Sequence, residues 1–166
     1  HTARIWDLST AKCKQTIRGH VDSVNHVCWQ PSSAILATAS ADKTVSLWDG
    51  RTALCVQTFY GHLNAVSHAV FSLRGDLLVS GDSDGIVKVW DVRMGTELAH
   101  INAGPLSANS LVLDPSAKSL GVASDDASIK VYEMKEGYSQ VGVLRAHEDA
   151  VQCVRMSVTG DLLVSC

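Results

Sequence analysis

The chain has 166 residues, 46% of them hydrophobic, and carries a net charge of −3 from 14 basic and 17 acidic side chains, the make-up of a folded globular protein. Its lysines and arginines are scattered among the acids, which argues against the basic stripe of a DNA or RNA binder, and no apolar run approaches the roughly 18 residues of a membrane span. The five cysteines include no Cys-x-x-Cys, so neither a disulfide framework nor a zinc site is indicated and a reducing compartment fits.

Trp6, Trp48, Trp90 and Tyr132 recur at intervals of 42 residues. Repeats of about 40 to 45 residues that open on Gly-His and end on Trp-Asp mark the four-stranded blades of a β-propeller. In chain order, residues 1–18 supply strands c and d of a half blade. Residues 19–60 supply a complete blade, with strands a to d predicted near 24–29, 34–39, 43–49 and 53–59. Complete blades follow over 61–103 and 104–145, the latter degenerate, and residues 146–166 supply strands a and b of a further half blade. Val45, Val87 and Ile129 align, as do Leu47, Val89 and Val131, with Ser46, Lys88 and Lys130 between them, a period of two that means strand. Pro31-Ser32-Ser33, Arg74-Gly75-Asp76, Asp114-Pro115-Ser116 and Thr159-Gly160-Asp161 place turns between strands a and b. The expected fold class is all-β, about four blades of antiparallel sheet. It would form an open arc with unpaired edges or, alternatively, a closed four-bladed ring.

Gly19-His20 before Trp48-Asp49, and Gly61-His62 before Trp90-Asp91, resemble the WD-repeat family, whose members usually close seven blades. That resemblance implies a hydrogen-bonded structural tetrad of His20, Thr38, Asp42 and Trp48 in one blade and of His62, Ser80, Asp84 and Trp90 in the next. Buried indole N–H, imidazole and carboxylate groups each need such partners. Ser40, two residues on and on the same side of the strand, could replace Thr38 as the hydroxyl. In the third blade Pro105, Val122 and Tyr132 stand at the His, hydroxyl and Trp positions, leaving Asp126 alone in a softer blade. The last half blade keeps His147 and Ser165.

The recurrence of the Ser-His-Asp sets, with no Gly-x-Ser-x-Gly, favours structure over catalysis, so no catalytic residue, cofactor, metal or small-molecule substrate is expected. Asp82-Ser83-Asp84-Gly85 begins like a calcium loop but lacks its later acids and reads as a hairpin turn. His26 and His68, one period apart on strand a, read as solvent-screened packing in different blades. Cys13 and Cys55, also one period apart, read as small buried hydrophobes.

Two surfaces are candidates for protein partners. In similar propellers the rim of the narrower face is lined by residues just after the Gly-His and just before the tetrad Asp. Here these are Ser23, Asn25, Ala41, Ala65, Ser67, Ser83, Ser107, Asn109, Asp125, Ala150 and Gln152. Arg51 and Arg93, in consecutive Trp-Asp-x-Arg motifs, resemble the contacts by which some WD-repeat proteins engage the adaptor of cullin ubiquitin ligases. The irregular stretches 19–25, 58–62 and 84–93, together with the degenerate repeat from Ile101 to Glu133, resemble WD-repeat proteins of the ciliary central apparatus. The resemblance implies a non-catalytic scaffold of the cytoplasm and cytoskeleton, bound to axonemal or microtubule-associated proteins rather than to nucleic acid or membrane.

Overall fold

The computed structural model describes residues 1–135 and 137–166. Among these every regular element is a β-strand, arranged as three four-stranded antiparallel sheets flanked by two two-stranded ones. The first half blade is β1 (Thr2–Asp7) and β2 (Lys12–Arg18). The first complete blade is β3 (Val24–Trp29), β4 (Ile35–Ser40), β5 (Val45–Asp49) and β6 (Cys55–Phe59). The second is β7 (Val66–Phe71), β8 (Leu77–Asp82), β9 (Ile86–Asp91) and β10 (Glu97–Asn102). The third is β11 (Ala108–Leu113), β12 (Ser119–Ser124), β13 (Ser128–Glu133) and β14 (Gln140–Arg145). The closing half blade is β15 (Val154–Met156) and β16 (Leu163–Ser165).

Each sheet pairs its strands in chain order, so every connection within a blade is a hairpin. The first and last sheets do not pair with one another. The molecule is therefore an open arc and not the closed four-bladed ring. Trp6, at 54% exposure, and Trp29, at 53%, stand at the first edge.

The apolar cores lie between blades rather than within them. Ile17 of β2 packs with Leu36 and Trp48 of the first blade. Val45 and Phe59 pack with Leu78 and Trp90 of the second. Val87 and Ile101 pack with Leu120 and Tyr132 of the third, and Ile129 packs with Val151 and Val154. Central strands such as β4 and β8 are buried on both faces, while the outer strands β6, β10 and β14 face solvent along most of their length. A sheet whose two faces need neighbours cannot stand alone, the property of a repeat array.

Between strands a and b each complete blade carries a register shift at the same place, Val24/His26, Val66/His68 and Ala108/Ser110. Such bulges tighten the right-handed twist and re-aim a side chain. Here they turn His26, His68 and Ser110 toward the next blade, which fixes the geometry described below.

Candidate functional site

The structure brings His20, Thr38, Asp42 and Trp48 into one chain of hydrogen bonds. His20 Nδ1 lies 2.7 Å from Asp42 Oδ2 and its Nε2 lies 2.6 Å from Thr38 Oγ1, which also accepts from Trp48 Nε1–H at 2.8 Å. An ionised carboxylate can only accept, so Nδ1 carries a proton, while Nε2 shares its hydrogen bond with the Thr38 hydroxyl. Burial pushes the Asp42 carboxyl up, but hydrogen bonds from Thr44 and His20 outweigh it and hold it below the usual carboxylate range. Gly19 is glycine because any Cβ there would meet the Trp48 ring at 2.6 Å. Ser40, the alternative hydroxyl, instead donates to Ser23 O at 2.9 Å.

The second blade corrects one assignment. His62 Nε2 meets Ser80 Oγ at 2.7 Å and Trp90 Nε1 donates to the same oxygen at 2.8 Å, but the carboxylate on His62 Nδ1, at 2.7 Å, belongs to Asp82 and not to Asp84. Asp82 closes β8, where its Oδ1 accepts the turn N–H groups of Asp84 at 3.1 Å and Ile86 at 2.9 Å, which leaves Oδ2 aimed at the histidine. Asp84 sits in the exposed turn and accepts from Asn64 Nδ2 at 2.6 Å. The first blade has Ser40 where the second has Asp82, a side chain too short to reach, so there Asp42 of the turn reaches back instead.

Asp126 is not alone, which corrects the expectation for the third blade. Lys130 Nζ lies 2.6 Å from Asp126 Oδ2 and also donates to Ala103 O, so a lysine fills the place of the missing histidine. Burial raises the Asp126 carboxyl, yet the Lys130 and Ser128 hydrogen bonds bring it down to about 2. Tyr132 is 3% exposed and its hydroxyl donates to Gln140 Oε1 at 3.3 Å. Exchange of Lys130 for Met is expected to lower unfolding free energy by about 1 to 2 kcal/mol, a partly buried pair broken on one side. Urea melts should show it, with the exposed Lys118→Met neutral. In the last half blade His147 Nε2 meets Ser165 Oγ at 2.8 Å.

These hydroxyl–imidazole–carboxylate sets have the connectivity of a hydrolytic triad but not its access. Ser80 is fully buried, and its oxygen is occupied by the Trp90 indole N–H and the His62 imidazole, so no substrate atom can approach it. The sets pin the loops that carry the rim.

His26 and His68 do not stand apart in solvent. The bulges bring their rings to a centroid separation of 3.7 Å across the first and second blades, with Leu111 N–H donating to His68 Nδ1 at 3.4 Å. His26 Nδ1 and His68 Nε2 are buried without hydrogen-bond partners. Among the described residues no cluster of three or more metal-ligating side chains includes them. Burial first, then the charges of His26 and Arg155, pull the His68 pKa down from 6.5 to about 3. As pH falls below 6.5 the unfolded chain takes a proton that the folded chain refuses, so stability complete above that value is lost toward pH 3. Unfolding at pH 5 is expected to show about 2 kcal/mol less stability from this group than at pH 7, and His68→Gln should flatten that part of the profile.

Cys13 and Cys55 are exposed, not buried, because both lie on outer strands with one face in solvent. Cys28 is half-buried, and burial pushes its thiol up to about 12.

The rim residues fall into two groups. Backbone bonds tie the b–c turn of each blade to the start of its strand a: Ala41 N–H to Ser23 O at 2.8 Å, Ser83 N–H to Ala65 O at 3.0 Å and Asp125 N–H to Ser107 O at 3.2 Å. Asn25, Ser67 and Asn109 are engaged differently, each also holding the blade that follows, with Asn25 still exposed. Asn25 Nδ2 donates to Val66 O at 2.9 Å, Ser67 Oγ to Ala108 O, and Asn109 Nδ2 to Val151 O at 3.1 Å, one clasp per blade onto the next. Ser23, Ser83, Asp125 and Gln152 remain exposed, with Ala41, Ala65, Ser107 and Ala150 half-buried. The Arg51 side chain is 78% exposed, 3.3 Å from Asp49, and Arg93 is exposed.

Residues 11–49, 53–91 and 138–166, together more than half of the chain, match the family described as WD domain, G-beta repeat. The chain belongs to the WD40 repeat family. WD40 repeats are generally non-catalytic and typically bind other proteins. A stretch of 44 residues is 46% identical to human WD repeat-containing protein 37, covering 26% of this chain and 9% of that protein. The chain is also 48% identical over 49 residues to THO complex subunit 3 of Arabidopsis thaliana, covering 26% of this chain and 16% of that subunit. Coatomer subunit beta'-2 of the same plant is 48% identical over 31 residues, 19% of this chain and 3% of the subunit. The aligned stretches thus span between 3% and 16% of these relatives.

Proposed function

We propose that this chain is part of a non-catalytic protein-interaction scaffold, and that the scaffold is a component of the axonemal central apparatus supporting motility of cilia or flagella. The observation behind the first half is the division of labour among its polar groups. The reactive-looking triples are sealed inside the blades, while what faces solvent is a small, nearly neutral rim held rigid by backbone bonds. Such a rim suits flat protein contact and offers no phosphate-binding cluster. The second half rests on the resemblance to the sperm-associated-antigen WD-repeat protein, carried chiefly by the displaced Gly104-Pro105 repeat. It implies a place in the cytoplasm and cytoskeleton among axonemal or microtubule-associated partners. Fractionation of cilia from cells carrying the tagged full-length protein tests it: the protein should remain with the axoneme, and a wholly cytosolic protein would end the axonemal reading.

A second reading is favoured by the exposure of Arg51 and Arg93: a substrate receptor held by a cullin-ligase adaptor. Charge reversal at both positions should then abolish co-precipitation with the adaptor. Unchanged co-precipitation, or none from the unaltered protein, removes this alternative.

A further inference from the structure

The repeats act as templates for one another, and at one site they disagree. Ser46, Lys88 and Lys130 occupy the same place in three successive blades. In the second, Lys88 lies over the Trp90 ring, Nζ 5.7 Å from its centroid, and reaches Glu97 Oε2 at 2.6 Å. In the third, Lys130 lies in the equivalent place and reaches Asp126. The first blade has a serine there, and Cys55 stands where the second has Glu97, each opposite its blade's tryptophan. Ser46 Oγ stops short, bonded to Thr58 Oγ1 at 3.0 Å. The result is a cleft of about 530 Å³ lined by Asp42, Ser46, Trp48, Thr58 and Tyr60, with Arg18 among its residues.

We propose that this cleft is a receptor for a lysine side chain presented by a partner protein, seated as Lys88 and Lys130 are seated in their own blades. The chemistry follows from those two blades. A straight aliphatic stem suits the slot beside the indole, whose face attracts a cation. Asp42, at the position equivalent to Asp126 but here held by His20 and Thr44, lends its negative charge to one wall of the cleft, and the Ser46 and Thr58 hydroxyls supply acceptors. Arg18 is the cation among the lining residues, so the rival occupant is an acid. The site is distinct from the rim and does not depend on the axonemal reading.

The test uses n-butylammonium as a lysine probe on the 166-residue chain, with n-butanol and butyrate as neutral and anionic counterparts, followed by ¹H–¹⁵N spectra of the tryptophan indoles. The ammonium ion is expected to shift the Trp48 indole and the Ser46 and Thr58 amides saturably, with a Kd of about 1 to 10 mM for so small a ligand, and to leave Trp90 unmoved. Butanol should bind at least about tenfold more weakly. Ser46→Lys should abolish the response by filling the slot from within, and Lys88→Ser should open a second site that shifts Trp90. Equal shifts of Trp48 and Trp90 in the unaltered chain would overturn the proposal. So would a response retained in Ser46→Lys, tighter binding of butyrate, or no saturable shift. Should Ser46→Lys fail to fold, the three probes on the unaltered chain and the Lys88→Ser variant still decide.

Discussion

Asp82→Ala is expected to destabilise the protein by about 3 kcal/mol, whereas Asp84→Ala should stay within about 0.5 kcal/mol of the parent. Loss of the Asp82 carboxylate strands the His62 Nδ1–H, which it meets at 2.7 Å, and two turn N–H groups at 3.1 and 2.9 Å, in a place where the aspartate is 1% exposed. Asp84 loses one bond to Asn64, in water. Acid adds a signature. Burial raises the Asp82 carboxyl, but His62 and the Ile86 N–H outweigh that and hold it below 3.8. Its stabilisation is therefore complete above the unfolded value and is lost as pH falls through the lower folded one. Denaturant melts from pH 6 downward should show the parent losing this contribution on acidification and Asp82→Ala having none to lose. Equal costs for the two alanine variants would refute the assignment.

The two aspartates also show where sequence reasoning stops. The 42-residue spacing and the alternation of Val45, Leu47 and their equivalents state the all-β blade architecture directly, because period and pleat are properties of the chain itself. Asp82 ends β8 and Asp84 lies two residues on in the turn, beyond the reach of that alternation. The choice between them is made by turn N–H groups that capture Asp82 Oδ1. A hint was available in the alignment, which puts Asp82 opposite Ser40. Lys130 was visible as an aligned lysine, but a long stem does not declare which carboxylate it will reach. Cys13 and Cys55 kept the period and yet lie in solvent, since repetition marks equivalence and not burial. The clasping role of Asn25, Ser67 and Asn109 is not legible in the sequence because the backbone carbonyls they clasp belong to the following blade, about 42 residues away. Pairing within a blade is local, while contact between blades is not.

The same distinction sets the largest single cost. Phe59→Ala is expected to destabilise by about 3 to 5 kcal/mol, although β6 is otherwise a solvent-facing strand. Phe59 is 2% exposed, its ring centroid 5.2 Å from that of Trp90, and it joins the core shared with Leu78 of the second blade. Truncation removes an aromatic contact and leaves a cavity that two independently hydrogen-bonded sheets cannot easily collapse around. Val56→Ala on the same strand is 59% exposed at the parent residue and should change stability by less than about 0.5 kcal/mol. Leu144 stands at the repeat position equivalent to Phe59, on β14, but is 48% exposed. Leu144→Ala should therefore cost under about 1 kcal/mol. If burial were set by a residue's own blade, the two repeat-equivalent truncations would cost alike. Unequal melting shifts for Phe59→Ala and Leu144→Ala would place the stability in the seams between blades, and equal shifts would place it within them.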